Sequence, residues 1–225
     1  MTALPDLAPL WLTLRLAALV TALLLLVGTP LAWWLARSRA RLVPLIEALT
    51  ALPLVLPPTV LGFYLLLAFN PQAPLGAAWA SLTGQTLTFS FAGLVIASLL
   101  YSLPFTVQPL QAAFSALGPG PMETAASLGA RPLDAFLTVA LPLSLRGYLT
   151  AAVLTFAHTL GEFGVVLMVG GNIPGETRLI SIAIYEQVER ADYRAAHVLS
   201  ALLVALSFAV LLALYAVNRH TGRKA

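Results

Sequence analysis

The 225-residue chain contains no cysteine. That excludes a disulfide framework, a thiolate nucleophile and a thiolate metal site. Charge is nearly as scarce, at 9% of the residues, whereas soluble domains carry about 25%. A chain so poor in charge cannot clothe a globular surface in water. Twelve basic residues outnumber nine acidic ones for a net charge of +3, but they are too scattered to form a nucleic-acid footprint. The sequence also lacks a Gly-x-x-x-x-Gly-Lys-Ser/Thr phosphate loop, a zincin pattern and a nucleophile elbow. No residue set therefore reads as catalytic or as a metal site.

What remains is hydrocarbon. Sixty per cent of the residues are hydrophobic, and the mean hydropathy is +0.91. Stretches 10–36, 43–69, 88–110, 143–169 and 195–217 each hold enough apolar residues to cross a bilayer. We expect an all-α polytopic membrane protein, one transmembrane domain over 1–225 with five spans. A sixth span within 160–192 is the alternative. The stretch available for it is short and carries Glu186, Glu189, Arg190 and Asp192. The first apolar stretch is too long for a cleaved signal and lacks a basic region before it, so it reads as a retained span.

Basic residues set the orientation. Arg37, Arg39 and Arg41 follow the first span, Arg131 and Arg146 lie between the third and fourth, and Arg219, Arg223 and Lys224 sit in the tail. Five spans put all eight on one side, which the positive-inside rule makes the cytoplasm. The N-terminus is then outside and the C-terminus inside. The second span carries Pro53, Pro57 and Pro58; proline removes a backbone donor and clashes with the preceding turn, so this helix should break. A broken helix at membrane depth faces protein or a water-filled cavity. The break serves packing on one reading and lines a pathway on the other. The third span, with Pro104 and Pro109, should also bend. The connection 70–87 has no charge.

The loop 118–142 is the most informative stretch. Gly118-Pro119-Gly120 forms a turn, residues 121–128 read as a short helix with Glu123 in its first turn, and Gly129 suits a left-handed stop. Glu123, Thr124, Ala125, Ala126, Gly129, Ala130, Val139, Leu141 and Pro142 resemble the EAA signature of binding-protein-dependent ABC importer permeases. That signature reads Glu-Ala-Ala, three residues, Gly, nine residues, Ile, one residue, Leu-Pro. Thr124 and Val139 depart from it without much change in size. The resemblance implies an importer permease fold in a prokaryotic plasma (inner) membrane. It also implies that the loop is a coupling helix seated in a cytoplasmic ATPase subunit. Further partners implied are a second copy of the chain, a second ATPase subunit and an extracytoplasmic oxyanion-binding protein. No cofactor belongs to this chain; ATP and Mg would be bound by the ATPase.

Residues 160–164, Leu-Gly-Glu-Phe-Gly, and 170–178, Gly-Gly-Asn-Ile-Pro-Gly-Glu-Thr-Arg, look similar to molybdate permeases of this superfamily. Tungstate and other oxyanion permeases share parts of the pattern, and an ion-coupled secondary transporter is the rival from another class. Two readings of 170–175 stay open. It is a turn with Arg178 paired to Glu176 or Glu162, or its amides and Arg178 form an anion nest beside Asn172. Glu162 shares a helix face with His158 four residues earlier. As an intramembrane acid it is a pathway or gate candidate, expected near the outer end of its span where water reduces the cost.

Overall fold

The computed structural model describes residues 6–222, with the side chains of Leu214 and residues 217–222 excepted. Arg223 and Lys224 of the basic tail lie outside the described residues. Every regular element among the described residues is a helix. Helix α1 (Ala8–Arg37) opens with Pro9 in its first turn, where the missing N–H costs nothing, and Asp6 accepts from the Ala8 amide at 2.9 Å. It closes on Arg37, whose guanidinium lies over the Trp33 ring at 4.6 Å. The second stretch splits as its prolines predict. Helix α2 (Val43–Val55) and α3 (Pro58–Phe69) meet at 112° across Leu56 and Pro57.

The uncharged connection at 70–87 holds a further helix, α4 (Pro74–Thr83), which the sequence reading took for a plain connection. Pro74 starts it, and Gly84 stops it in the left-handed region at φ 70°. Helix α5 (Phe91–Leu117) is capped by Ser90, which accepts from the Gly93 amide at 3.1 Å, and holds Pro104 and Pro109 within one continuous helix. Then come α6 (Gly120–Ser127), α7 (Pro132–Ala135), a π-helical turn (Phe136–Ala140) and α8 (Leu141–Leu143). A 72° bend at Ser144 leads into α9 (Leu145–Leu160).

The fourth span departs from expectation: its helix does not run on to 169. It breaks at 161–163 and resumes as α10 (Gly164–Gly170). Helices α11 (Ile180–Glu189) and α12 (Tyr193–Gly222) complete the chain. With seven and ten residues, α10 and α11 are too short to cross a bilayer. Three helices are long enough, and the two bent pairs bring the spans to as many as five.

The centre is α1, α5 and α9. Leu12, Leu16, Val20 and Leu24, one α1 face at four-residue spacing, pack on Leu94, Val166, Leu179 and Ile182. Lower down, Ala32 and Leu35 meet Val107, Leu110, Phe114 and Ala151. In lipid this packing draws on dispersion and close fit, since the alternative surroundings are equally apolar. Small residues at the crossings follow from that, as Gly28 does beside Thr106. Buried hydroxyls add polar contacts: Thr106 and Thr155 pair at 2.5 Å between α5 and α9. By contrast α12 touches the rest mainly through α9 and α11, leaving Val204 and Phe208 exposed as lipid-facing helices do.

Candidate functional site

Three regions carry the chemistry-bearing residues. At one end of the bundle, α6 stands off the body with Glu123, Thr124 and Ala126 exposed and Ala125 buried. Its ending is a Schellman motif. Gly129 donates to the Ala126 carbonyl at 2.9 Å and Ala130 to the Ala125 carbonyl at 3.0 Å, with Gly129 at φ 85°. The expected left-handed stop is therefore present. Below Ala125 lies a hollow of about 450 Å³ whose walls include Thr124, Leu128, Ala130, Thr138 and Val139. The spacing from Gly129 to Val139 is thus the length of chain that returns under α6. Pro142 cannot donate to the turn before it, and the π-helical turn over 136–140 immediately precedes it. Leu141 and Pro142 accordingly sit in α8, on the hinge between α6 and α9.

The second region is the elbow between α9 and α10, and it corrects the reading of Glu162. Expected near water, Glu162 is 3% exposed. Gly161 and Phe163 leave helical geometry on either side and fold the side chain inward against α5. There Ser98 donates to Oε2 at 2.5 Å and Ser102 to Oε1 at 2.8 Å. The Ser102 hydroxyl also lies 2.9 Å from His158 Nδ1 and 3.0 Å from Thr159 Oγ1. It has one proton to give, so His158 must supply the proton of their contact if Glu162 receives that of Ser102. His158 keeps its predicted face with Glu162, at 3.6 Å, and its ring stacks on Phe105 at 3.9 Å. The elbow backbone is tied too: the Glu162 carbonyl accepts from Ser181 of α11 at 2.5 Å. Pro58 at the α2–α3 break faces the same cavity as Glu162, whereas Pro53 lies inside α2 and Pro57 caps α3. The sequence reading missed Ser98, Ser102 and Thr159. Two serines four apart in an apolar span were the available signal.

The loop 170–178 is the third region, and its hydrogen bonds show a tight turn around Ile173. The Ile173 carbonyl accepts from Glu176, Thr177 and Arg178, and the Ile173 amide donates to Thr177 Oγ1. Those donors are spent inside the loop, as a turn requires. Arg178 pairs with neither Glu176 nor Glu162. It reaches α11 instead, with Nη2 3.4 Å from Glu186 and Nε donating to Asn172 Oδ1 at 2.7 Å. Asn172 and Arg190 complete the cluster around Glu186. Among the described residues no group of three His, Asp or Glu side chains is placed to hold a metal.

The sequence profile described as "Binding-protein-dependent transport system inner membrane component" matches residues 28–224. The molybdenum transport system permease protein ModB of Azotobacter vinelandii is 58% identical over 214 residues, 95% of each chain. That of Escherichia coli K12 is 35% identical over 185 residues, 82% of this chain and 81% of the relative. The sulfate transport system permease protein CysT of the same strain is 32% identical over 197 residues, 88% and 71%. Among solved structures, a chain of the MetNI methionine ABC transporter in inward-facing conformations superposes with a TM-score of 0.71. It is 19% identical over 94% of each chain, a likeness of fold.

Proposed function

Because the chain belongs to the family of binding-protein-dependent transport system inner membrane components, we propose that it is the membrane subunit of a molybdate ABC importer. Its relatives are named as permease proteins, so it is a transport subunit and not an enzyme. Family membership sets aside the ion-coupled secondary transporter. The observation that carries the substrate is 58% identity along nearly the whole chain to a molybdenum transport permease. Identity to the sulfate permease is 32%, which keeps a related oxyanion as the second reading.

The geometry supports a division of labour. Two copies around a two-fold axis would close a pathway that five spans leave open. A cytoplasmic ATPase pair, holding ATP and Mg, would grip the exposed α6 of each copy. Glu123, Thr124, Ala125, Ala126, Gly129 and Ala130 form the contact, and Leu141 and Pro142 pass its motion into α9. An extracytoplasmic oxyanion-binding protein would deliver substrate at the outer end, near Asn172 and Arg178. Selectivity belongs mainly to that receptor, because a pathway that bound its substrate tightly would release it slowly. The N-terminus lies outside and the C-terminus in the cytoplasm, as the eight basic residues indicate.

Reconstitution in liposomes with the cognate ATPase and receptor tests the whole reading. ATP-dependent, receptor-dependent uptake of molybdate in preference to sulfate is the expected result. Failure of the ATPase to co-purify would remove the importer, and uptake of sulfate instead would replace the substrate. Orientation is tested by Ser38→Cys, expected to react with impermeant thiol reagents only from the cytoplasmic side.

A further inference from the structure

The cavity beside the elbow measures about 590 Å³, and Pro58, Thr59, Tyr101, His158, Glu162 and Met168 are among its walls. It lies where two broken spans face each other. Helices α3 and α10 touch at glycine width on both sides. A Cβ on Gly62 would come 2.8 Å from Met168 Cβ, and one on Gly164 would come 2.8 Å from Pro58 Cβ. Neither helix can shift far without carrying the other. Helix α10 is joined to α9 only through Gly161, Glu162 and Phe163.

The elbow backbone is held by Ser181, and α10 packs on α5 through Val165, Val166 and Val169. The elbow's one buried acidic side chain adds a directional tie, because both Glu162 oxygens are held by hydroxyls of α5. Ser98 and Ser102 stand about 10 and 17 Å along α5 from Phe91, at 1.5 Å per residue. That places the tie well inside the outer half of the span. His158 reaches the same point through Ser102, whereas the Thr159 hydroxyl gives its proton to the Thr155 carbonyl at 2.9 Å.

We propose that Glu162, Ser98 and Ser102 form a clasp that positions the α9–α10 elbow on α5. While closed, it holds the α3–α10 pair across the cavity as the outer gate of the translocation path. Glu162 is thus a positioning residue of transport. It does not bind the anion: both its oxygens are already engaged, and a carboxylate would repel an oxyanion. Motion arriving through α9 from α6 has to part this clasp before α10 can swing with α3. The proposal rests on the importer reading given above.

The chain has no cysteine, so one introduced residue reports alone. Ala157→Cys places a thiol in the same cavity. The assembled importer in liposomes, without nucleotide or substrate, is treated from the outer face with an impermeant thiol reagent. With the clasp intact, labelling should be slow. Adding Glu162→Ala, which removes both serine contacts, should speed it at least about ten-fold, the population shift that the loss of even one strong hydrogen bond would bring. The ratio of receptor-stimulated to basal ATP hydrolysis should fall toward one, and Glu162→Gln, which keeps an acceptor, should recover part of it. A merely structural role would lower the yield of complex and leave both readings per assembled complex unchanged. If Glu162→Ala does not assemble, the paired Ser98→Ala and Ser102→Ala variant decides on the same two readings. Unchanged labelling and an unchanged ratio in an assembled clasp variant would overturn the proposal. Labelling is read without substrate, so a wrong anion assignment would leave it intact and show up in uptake alone.

Discussion

Glu123 and Glu162 are both acids beside the start of a short helix, and they sit on opposite terms with their surroundings. Glu123 is exposed in the first turn of α6, where its charge favours the helix N-terminus and no contact from another described side chain holds it. Glu162 is buried two residues before α10, with both oxygens bonded to a helix some sixty residues earlier in the sequence. The first region is made by local chemistry and offered outward. The second is made by tertiary contact and closed inward. An acid offered to a partner should be cheap to remove from the isolated chain and costly to the assembly. A buried acid should be the reverse.

The largest expected effect tests that contrast directly. Glu162→Ala takes the acceptor from buried Ser98, while Ser102 keeps His158 and Thr159 in reach, and it opens space among packed helices. The cost should be about 3 kcal/mol, the sum of an unsatisfied donor penalty and a lost hydrogen bond to a charged group. Glu123→Ala should cost the isolated subunit no more than about 0.5 kcal/mol, as exposed helix-end charges do. Thermal unfolding of both purified variants in detergent measures the difference. Equal destabilisation would erase the distinction between the two regions. In co-purification with the ATPase the order should invert, with Glu123→Ala the weaker binder per folded subunit.

The same contrast explains what could be read from the sequence. The loop was legible because its signals are contiguous: Gly-Pro turns, an acid in the first turn, a glycine at the left-handed stop, then Val139, Leu141 and Pro142 at fixed spacing. The break at Pro57 was legible for the same reason, since proline acts on its own turn. The fate of Glu162 was not. Nothing near it in the chain says that Ser98 and Ser102 will face it, so a position near water was the natural expectation. The break after Leu160 was missed because glycine permits a helix to continue as well as to stop. Helix α4 was missed because a ten-residue segment between turns has too little periodicity to separate it from a loop. Arg178 was given the wrong partner because Glu186 lies eight residues on, on a helix whose docking the loop itself determines.

A smaller effect sharpens the local side of the comparison. Gly129 has φ 85°, but a Cβ there would meet nothing within 4 Å. Any penalty for a side chain is therefore conformational and not steric. Gly129→Val should cost about 1–2 kcal/mol, because β-branched residues resist the left-handed region, and Gly129→Asn much less. If backbone geometry is what positions α6, Asn should retain ATPase binding and receptor-stimulated hydrolysis while Val loses both. Loss of both functions in the Asn variant would mean that the ATPase needs the bare glycine surface, a contact requirement and not a fold requirement.

The smallest effect belongs to the loop 170–178, where the charges are paired and half-buried near the surface. Arg178 joins Glu186 and Asn172, and Arg190 reaches Glu186 from the solvent side. Ion pairs with such exposure contribute about 0.2–1 kcal/mol and weaken with salt. Arg178→Gln should therefore leave folding nearly unchanged, since glutamine can still donate to Asn172 or Glu186. Its effect should fall on flux: the loop joins α10 to α11, and a slackened Asn172–Arg178–Glu186 link would blur the outer end of the path. Molybdate uptake should drop by about 1.4- to five-fold, the equivalent of that energy, while the preference over sulfate set by the receptor stays put. Repeating the assay at high salt should narrow the gap between wild type and variant, because screening removes the pair from both. A reversed anion preference in the variant would move selectivity from the receptor into this subunit. It would also give this loop a direct substrate contact.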